Sequence, residues 1–302
     1  MLEQNIWIGI DLGGTNIRVA AIDQNGTILE EVQQLTNVEQ GPDAIINSMI
    51  DMTTHLQSYP QAKAIGIGAP GPLDAKKGII LSPPTLPGWD DVPLKDIFEQ
   101  RTKLPVVVDN DANAAALAEA HFGAGVGYES VFYITVSTGV GGGFVYNKQV
   151  IKGANSCAGE IGNMIITNTS PVHPVLNQGS LELLASGTAL QQAGREKLNL
   201  TSHAGEVFEL AANGNDTAQA LIEQFINHLA IGIANIIHTV DPDIIVLGGG
   251  VMKSQDHFMT ELREEVKSYV YPQLRESVRI EPALLGTKAG IIGAAMLPKK
   301  GS

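Results

Sequence analysis

The chain has 302 residues, enough for two domains that each bury a core. Its 32 acidic and 19 basic residues leave a net charge of −13, which argues against duplex DNA, RNA or an anionic membrane as a partner and favours small molecules. The single cysteine, Cys157, excludes an internal disulfide and any cysteine-based zinc cluster.

At the N-terminus the apolar run Ile6 to Ile10 is too short for a signal peptide and has no basic stretch ahead of it. No apolar run approaches the ~20 residues of a membrane helix, so a cytoplasmic protein is expected. Ile6 to Ile10 reads as a strand that ends in Asp11-Leu-Gly13-Gly14-Thr15-Asn16, with a second strand over Ile17 to Ile22. Adjacent glycines in such a hairpin turn permit close approach and positive φ, so successive N–H groups can form a nest for a phosphate. Thr15 and Asn16 add side-chain donors, and Asp11 is a hard oxygen ligand placed for a hydrated Mg²⁺. An ordinary glycine-rich hairpin turn is the alternative. Asn25-Gly26 leads into a third antiparallel strand, Thr27 to Leu35. A helix over Pro42 to Leu56 and a strand over Ala64 to Gly68 follow. Gly66-Ile-Gly68-Ala-Pro-Gly71 matches the dinucleotide pattern, but Pro70 and Pro72 forbid the helix that a Rossmann turn must open, so no nicotinamide cofactor is expected. A loop lining a ligand cleft is the better reading. Ser82 to Pro93, with Trp89, reads as a surface loop over that cleft or as a connector.

Val106, Val107 and Val108 then form a strand buried on both faces, and Ala112 to Ala120 the helix after it. Asp109, Asn110 and Asp111 lie at the strand's carboxyl end, where open α/β sheets collect their ligands. Helix capping by Asp109 or Asp111 is the alternative. Gly123 to Tyr128 is a joint. Beyond it, strand Ser130 to Val136 enters the turn Ser137-Thr138-Gly139-Val140-Gly141-Gly142-Gly143, followed by strands Phe144 to Tyr146 and Gln149 to Ile151. This order repeats that of the N-terminus, which suggests a duplicated domain with a polyphosphate between two similar turns. A long helix over Asp216 to His238 stops at Asp241-Pro242, and strand Ile244 to Leu247 enters Gly248-Gly249-Gly250. Those glycines allow a flat group such as adenine close to the backbone, or simply a tight turn. An amphipathic helix (Asp256 to Val270), a strand (Val278 to Leu284), a helix (Ala289 to Leu297) and a tail from Pro298 close the chain. The expected domains are 1–122 with 289–302, and 123–288.

These motifs, together with Gly159-Glu160-Ile-Gly162, Leu181-Glu182 and Ala185-Ser-Gly-Thr188, resemble the ROK family of bacterial sugar kinases over nearly the whole chain and in the family's order. The resemblance implies an α/β chain with the duplicated actin-like, ribonuclease-H-like fold, two domains around a central cleft that closes on the sugar. It implies a homodimeric, glucokinase-like enzyme that transfers phosphate from ATP, with Mg²⁺, to a hexose 6-hydroxyl. N-acetylmannosamine or another N-acetylhexosamine is the alternative substrate. By the same resemblance Asp111 is the catalytic base and Gly71, Asn110, Glu160 and Glu182 face the sugar, while Gly13, Gly14, Thr15, Asn16, Thr138, Gly139, Gly249 and Gly250 hold the nucleotide. Phosphoryl transfer to a hydroxyl needs such a proton acceptor, positioned donors and exclusion of water. No G-x-x-x-x-G-K-[ST] or H-R-D motif offers another kinase chemistry.

The chain departs from the family at its zinc site. The histidine that commonly follows Glu-x-Gly is Asn163, and the family's cysteine run reads His173-Pro-Val-Leu-Asn-Gln-Gly-Ser180. A structural zinc needs four N or S ligands, so none is expected and His173 becomes a surface loop residue. Asn163 can still hydrogen-bond a sugar hydroxyl. A sugar-sensing transcriptional regulator is the rival of another class. Regulators in the family carry a DNA-binding arm ahead of the core, whereas the first strand here begins at Ile6, so an enzyme is expected.

Overall fold

A computed structural model of the chain describes residues 5–170 and 172–299. Of the expected tail, residues 300–302 lie outside the described residues. In chain order the elements begin with β1 (Ile6–Leu12), β2 (Asn16–Asp23), β3 (Ile28–Leu35), α1 (Gly41–Thr54), β4 (Ala62–Ala69), β5 (Leu73–Asp74) and β6 (Ile79–Ile80). They continue with α2 (Leu94–Thr102), β7 (Val106–Asn110), α3 (Asp111–Phe122), β8 (Ser130–Val136), β9 (Val140–Tyr146) and β10 (Gln149–Val150). After these come α4 (Leu181–Ala185), α5 (Gly187–Leu198), α6 (Gly205–Ala212), α7 (Asp216–Val240), β11 (Ile244–Gly248), α8 (Met259–Tyr269), β12 (Ile280–Pro282) and α9 (Ala289–Met296).

Two five-stranded sheets have the same topology, β3-β2-β1-β4-β7 and β10-β9-β8-β11-β12. In the first, β1 pairs antiparallel with β2 and parallel with β4, and β4 pairs parallel with β7. In the second, β10 and β9 are antiparallel, and β11 pairs parallel with both β8 and β12. This repeated strand order is the duplication expected from the sequence. The chain divides into two compact units: everything up to Gly127, with Gly143–Ala158 and the stretch from Leu284 onward, and Tyr128–Gly142 with Gly159–Ala283. The sequence division placed 143–158 in the second domain. Its grouping with the first follows from contact on α3, where a Cβ on Gly143 would come within 3.0 Å of the Ala112 carbonyl oxygen and of Ala116.

In the first unit, glycines set the layer spacing. A Cβ on Gly66 of β4 would collide with the Ala294 carbonyl, one on Gly9 of β1 with the Ile291 carbonyl, and one on Gly293 of α9 with the Ala114 carbonyl. Thus α9 lies at backbone distance from β1, β4 and α3. The G-x-G look-alike in β4 is explained by this packing, since Gly68 lies against Ala114 and the Cα of Asp111. Ser82 to Pro93 is no mere surface loop, because Leu86 and Trp89 are each 1% exposed in the core beside Leu94 and Phe98. Helix α2, unexpected from the sequence, follows Pro93 and buries Leu94, Phe98 and Thr102 along a single stripe.

In the second unit, α7 buries an apolar stripe from Ala218 to Ile237. By length and composition α7 could cross a membrane, which the sequence reading had denied of any segment, but 61% of its apolar window is buried inside the protein. Phe208 of α6, Phe225 of α7 and Phe258 form an aromatic cluster with centroids 5.5–6.1 Å apart. The expected helix from Asp256 is a 3-10 segment, Gly250–His257, followed by α8, which starts at Met259. The last strand shortens to three residues and ends at Pro282, which has no N–H for the ladder.

Candidate active site

The first unit carries three of the segments singled out in the sequence. The turn between β1 and β2 is closed by Gly13 N–H donating to the Asn16 carbonyl (3.0 Å) and by Thr36 Oγ1 donating to the Gly13 carbonyl (2.6 Å). Gly13 and Gly14 do not have the positive φ expected of them. Gly14 is small for another reason, because a Cβ there would come within 3.0 Å of the Thr85 carbonyl oxygen. Asp11, Gly13, Gly14, Thr15, Asn16, Arg18, Gln33 and Thr287 line a cavity of about 490 Å³.

One oxygen of Asp11 is engaged by the Arg18 guanidinium, which also donates to the Thr287 carbonyl. Burial pushes the Asp11 carboxyl above the usual range, and Arg18 opposes that shift by charge and by hydrogen bonding. Arg18 was missed in the sequence, although it was legible: it is the cross-strand partner of Asp11 in the hairpin register. A carboxylate, a guanidinium and a turn of small residues around one cavity fit a polyphosphate with its divalent cation.

At the end of β7 the three polar residues divide their tasks. Asn110 is the helix cap, with its Oδ1 accepting from Ala112 N–H at 2.8 Å. Asp111 Oδ1 accepts from the same N–H at 2.8 Å, and the residue is exposed. Asp109 is 1% exposed; it accepts from Asn110 N–H and Asn113 Nδ2 and pairs with Lys152 at 2.8 Å. Gly71 is half-buried in the loop between β4 and β5.

The second unit carries the rest. The expected seven-residue turn is shorter than its glycines suggest, since β9 begins at Val140. Gly142 and Gly143 serve close contacts within or beside that strand, Gly142 lying against the Gly159 carbonyl and Phe132. Gly139 lies against Glu182, whose Oε2 accepts from Val140 N–H at 2.8 Å. Glu160 is exposed as a residue, yet its carboxyl is pushed up, first by desolvation and then by the neighbouring Glu182 carboxylate.

Asn163 is exposed, and its Oδ1 accepts from Asn177 N–H at 2.7 Å. Its side chain therefore clasps the loop where the family's cysteines would stand, which leaves the amide Nδ2 and one lone pair of Oδ1 for a sugar hydroxyl. His173 is exposed in that loop and accepts from Val175 and Leu176 N–H. Among the described residues, no three His, Cys, Asp or Glu side chains are grouped to hold a metal.

Thr138 and Gly250 share a cavity of about 520 Å³ with Ser137, Gly187, Thr188, Gln191, His203, Glu209 and Lys253. Gly249 is not in its lining. Its φ of +93° makes the bend, and a Cβ there would collide with the Val136 carbonyl. Beside it, a Cβ on Gly250 would meet only Ser137 Oγ, at 3.5 Å, which leaves an open wall for a flat group. Gln191, His203 and Lys253 had no signal in the sequence, because α5, which carries Gln191, and α6, which follows the segment holding His203, have no pattern that marks them as helices there.

The ROK family model matches residues 7–301. The glucokinase of Thermotoga maritima is 32% identical over 97% of each chain. Among solved structures, a ROK hexokinase from Thermus thermophilus superposes with a TM-score of 0.88 at 36% identity over 97% of each chain. A glucokinase from Streptomyces griseus in complex with glucose and AMPPNP has a TM-score of 0.82 at 31% identity, covering 97% of this chain and 99% of that one. The xylose repressor of Bacillus spizizenii is 33% identical over 96% of this chain and 76% of its own. The comparisons support a sugar kinase, and the two matching sheets carry the duplicated actin-like fold of the ROK sugar kinases. The chain belongs to the ROK family.

Proposed function

We propose that the protein is an ATP-dependent sugar kinase of the glucokinase type that phosphorylates a hexose at its 6-hydroxyl. The observation that carries this is the exposed Asp111 at the first turn of α3, beside a buried Asp109 already neutralised by Lys152. Of the two carboxylates, Asp111 has access to a substrate proton. It takes the proton of the attacking hydroxyl, a role typically worth ~10²–10⁴ in rate. In the first unit Asn110 and Gly71 bind sugar hydroxyls, and in the second Glu160, Glu182 and the Nδ2 of Asn163 have the donors and acceptors for the same task.

Gly13, Gly14, Thr15 and Asn16 cradle the phosphates in the first unit's cavity, while Thr138 and Gly250 line the nucleoside cavity of the second and Gly139 and Gly249 make the turns that lead into it. Asp11 would hold Mg²⁺, which when bound neutralises phosphate charge. The working unit is a homodimer. The homodimer reading is checked by light scattering, where it requires twice the chain mass.

Coupled ADP release is the test, across glucose, mannose, fructose, N-acetylmannosamine and N-acetylglucosamine. Glucose as the best substrate is the expected result, and preference for an N-acetylhexosamine would move the assignment to that class. Sugar binding without any ADP release would favour the regulator reading suggested by the repressor similarity.

A further inference from the structure

The segment from Lys152 to Ala158 has no place in the reaction as described, yet it is anchored throughout. Ala158 N–H donates to the Lys152 carbonyl at 3.2 Å, which closes the loop. Lys76 Nζ donates to the Ala154 carbonyl at 2.7 Å, and Ser156 Oγ accepts from Ala75 N–H at 3.1 Å. The Lys152 ammonium stands 2.8 Å from Asp109 Oδ2. That oxygen is buried and has no hydrogen bond beside this ion pair, whereas Oδ1 is held by Asn110 N–H and Asn113 Nδ2. Lys152 is thus the compensation for a carboxylate that is 1% exposed and two residues before Asp111.

From this geometry we infer that Lys152 is a positioning residue for phosphoryl transfer. It acts through Asp109, by cancelling a buried negative charge next to the proton acceptor and by pinning the turn that presents it. The inference rests on the reading of Asp111 as that acceptor. An uncompensated carboxylate in a low-dielectric site is strongly unfavourable. Here it would also oppose the negative charge of the arriving phosphoryl group, which is spread over the transferring oxygens. A neutral sugar feels little of that field, so the loss falls on kcat and not on the sugar KM.

The test compares Lys152→Met, Lys152→Arg, the double variant Asp109→Asn/Lys152→Met, and Asp111→Ala in the full chain, with melting curves to show that each is folded at the assay temperature. Lys152→Met should lower kcat at least about tenfold with the sugar KM within about threefold of wild type. Lys152→Arg, which keeps the charge, should recover most of kcat. The double variant leaves no unpaired charge, so its kcat should return to within about threefold of wild type. A Lys152→Met enzyme with wild-type kcat overturns the inference, as does a double variant that stays below about a tenth of it. If Lys152→Met does not fold, the arginine and double variants decide alone by the same thresholds. Substantial turnover in Asp111→Ala would instead overturn the underlying reading of the proton acceptor.

Discussion

At Asp111 the proposed chemistry makes a sharp demand. Asp111→Ala should lower kcat at least about a hundredfold, since a general base is worth ~10²–10⁴, while sugar binding measured by calorimetry persists. Retention of a tenth of the activity would remove the residue from that role. Glu160 offers a different test, because its carboxyl is raised by desolvation and by Glu182. A group raised on folding contributes stability that is present below its ordinary value of 4.5 and is lost as pH rises through the folded value. Glu160→Gln should therefore melt higher than wild type near pH 7.5, with the difference narrowing toward about pH 4.5, and should raise the sugar KM. Equal melting temperatures at both pH values would show that the carboxyl is fully hydrated in the folded protein.

Contact between α3 and α9 is made by small residues, and that makes it intolerant of added volume. A Cβ on Gly293 would strike the Ala114 carbonyl, which is backbone and cannot rotate away. Overpacking typically costs about 1–3 kcal/mol, and Gly293→Ala should reach the upper end in denaturant unfolding. A change below about 0.5 kcal/mol would mean that α9 shifts freely. The loop closed by Asn163 and Asn177 is held by an amide where the family commonly has metal. Asn163→Ala should raise the sugar KM and speed proteolysis within 164–180, and a strong zinc chelator should leave the wild-type melting temperature unchanged. A chelator-induced drop would reinstate a structural metal.

For the whole molecule, ligands that bind only the folded state stabilise it by mass action, about 2.7 kcal/mol at a hundred times Kd. The true sugar should raise the melting temperature of wild type and of Asp111→Ala alike. A non-hydrolysable ATP analogue should add a further rise. A sugar response with no nucleotide response would fit a sensor better than a kinase.

The sequence by itself determined the repeated succession of strand, Gly-Thr turn and strand, the strand-to-helix junction at Asn110–Asp111 and, with a single cysteine, that no cysteine zinc cluster can form. Each of these is local, written as apolar period, turn residues or ligand type within a few consecutive positions. Tertiary structure alone decided what those residues touch. The glycines at 13 and 14 looked like positive-φ positions and have none; Gly14 is instead a place of close approach, because Thr85 arrives from a loop far along the chain. Asn163 looked like a free sugar contact, but its oxygen already accepts from Asn177 N–H. Arg18 and Asp11 share a hairpin and could have been paired from the register, but Lys152 and Asp109 lie 43 residues apart with no periodic pattern linking them. Such a pair is invisible in sequence for a physical reason: a buried carboxylate needs a compensating cation, and any loop that folds back far enough can supply it.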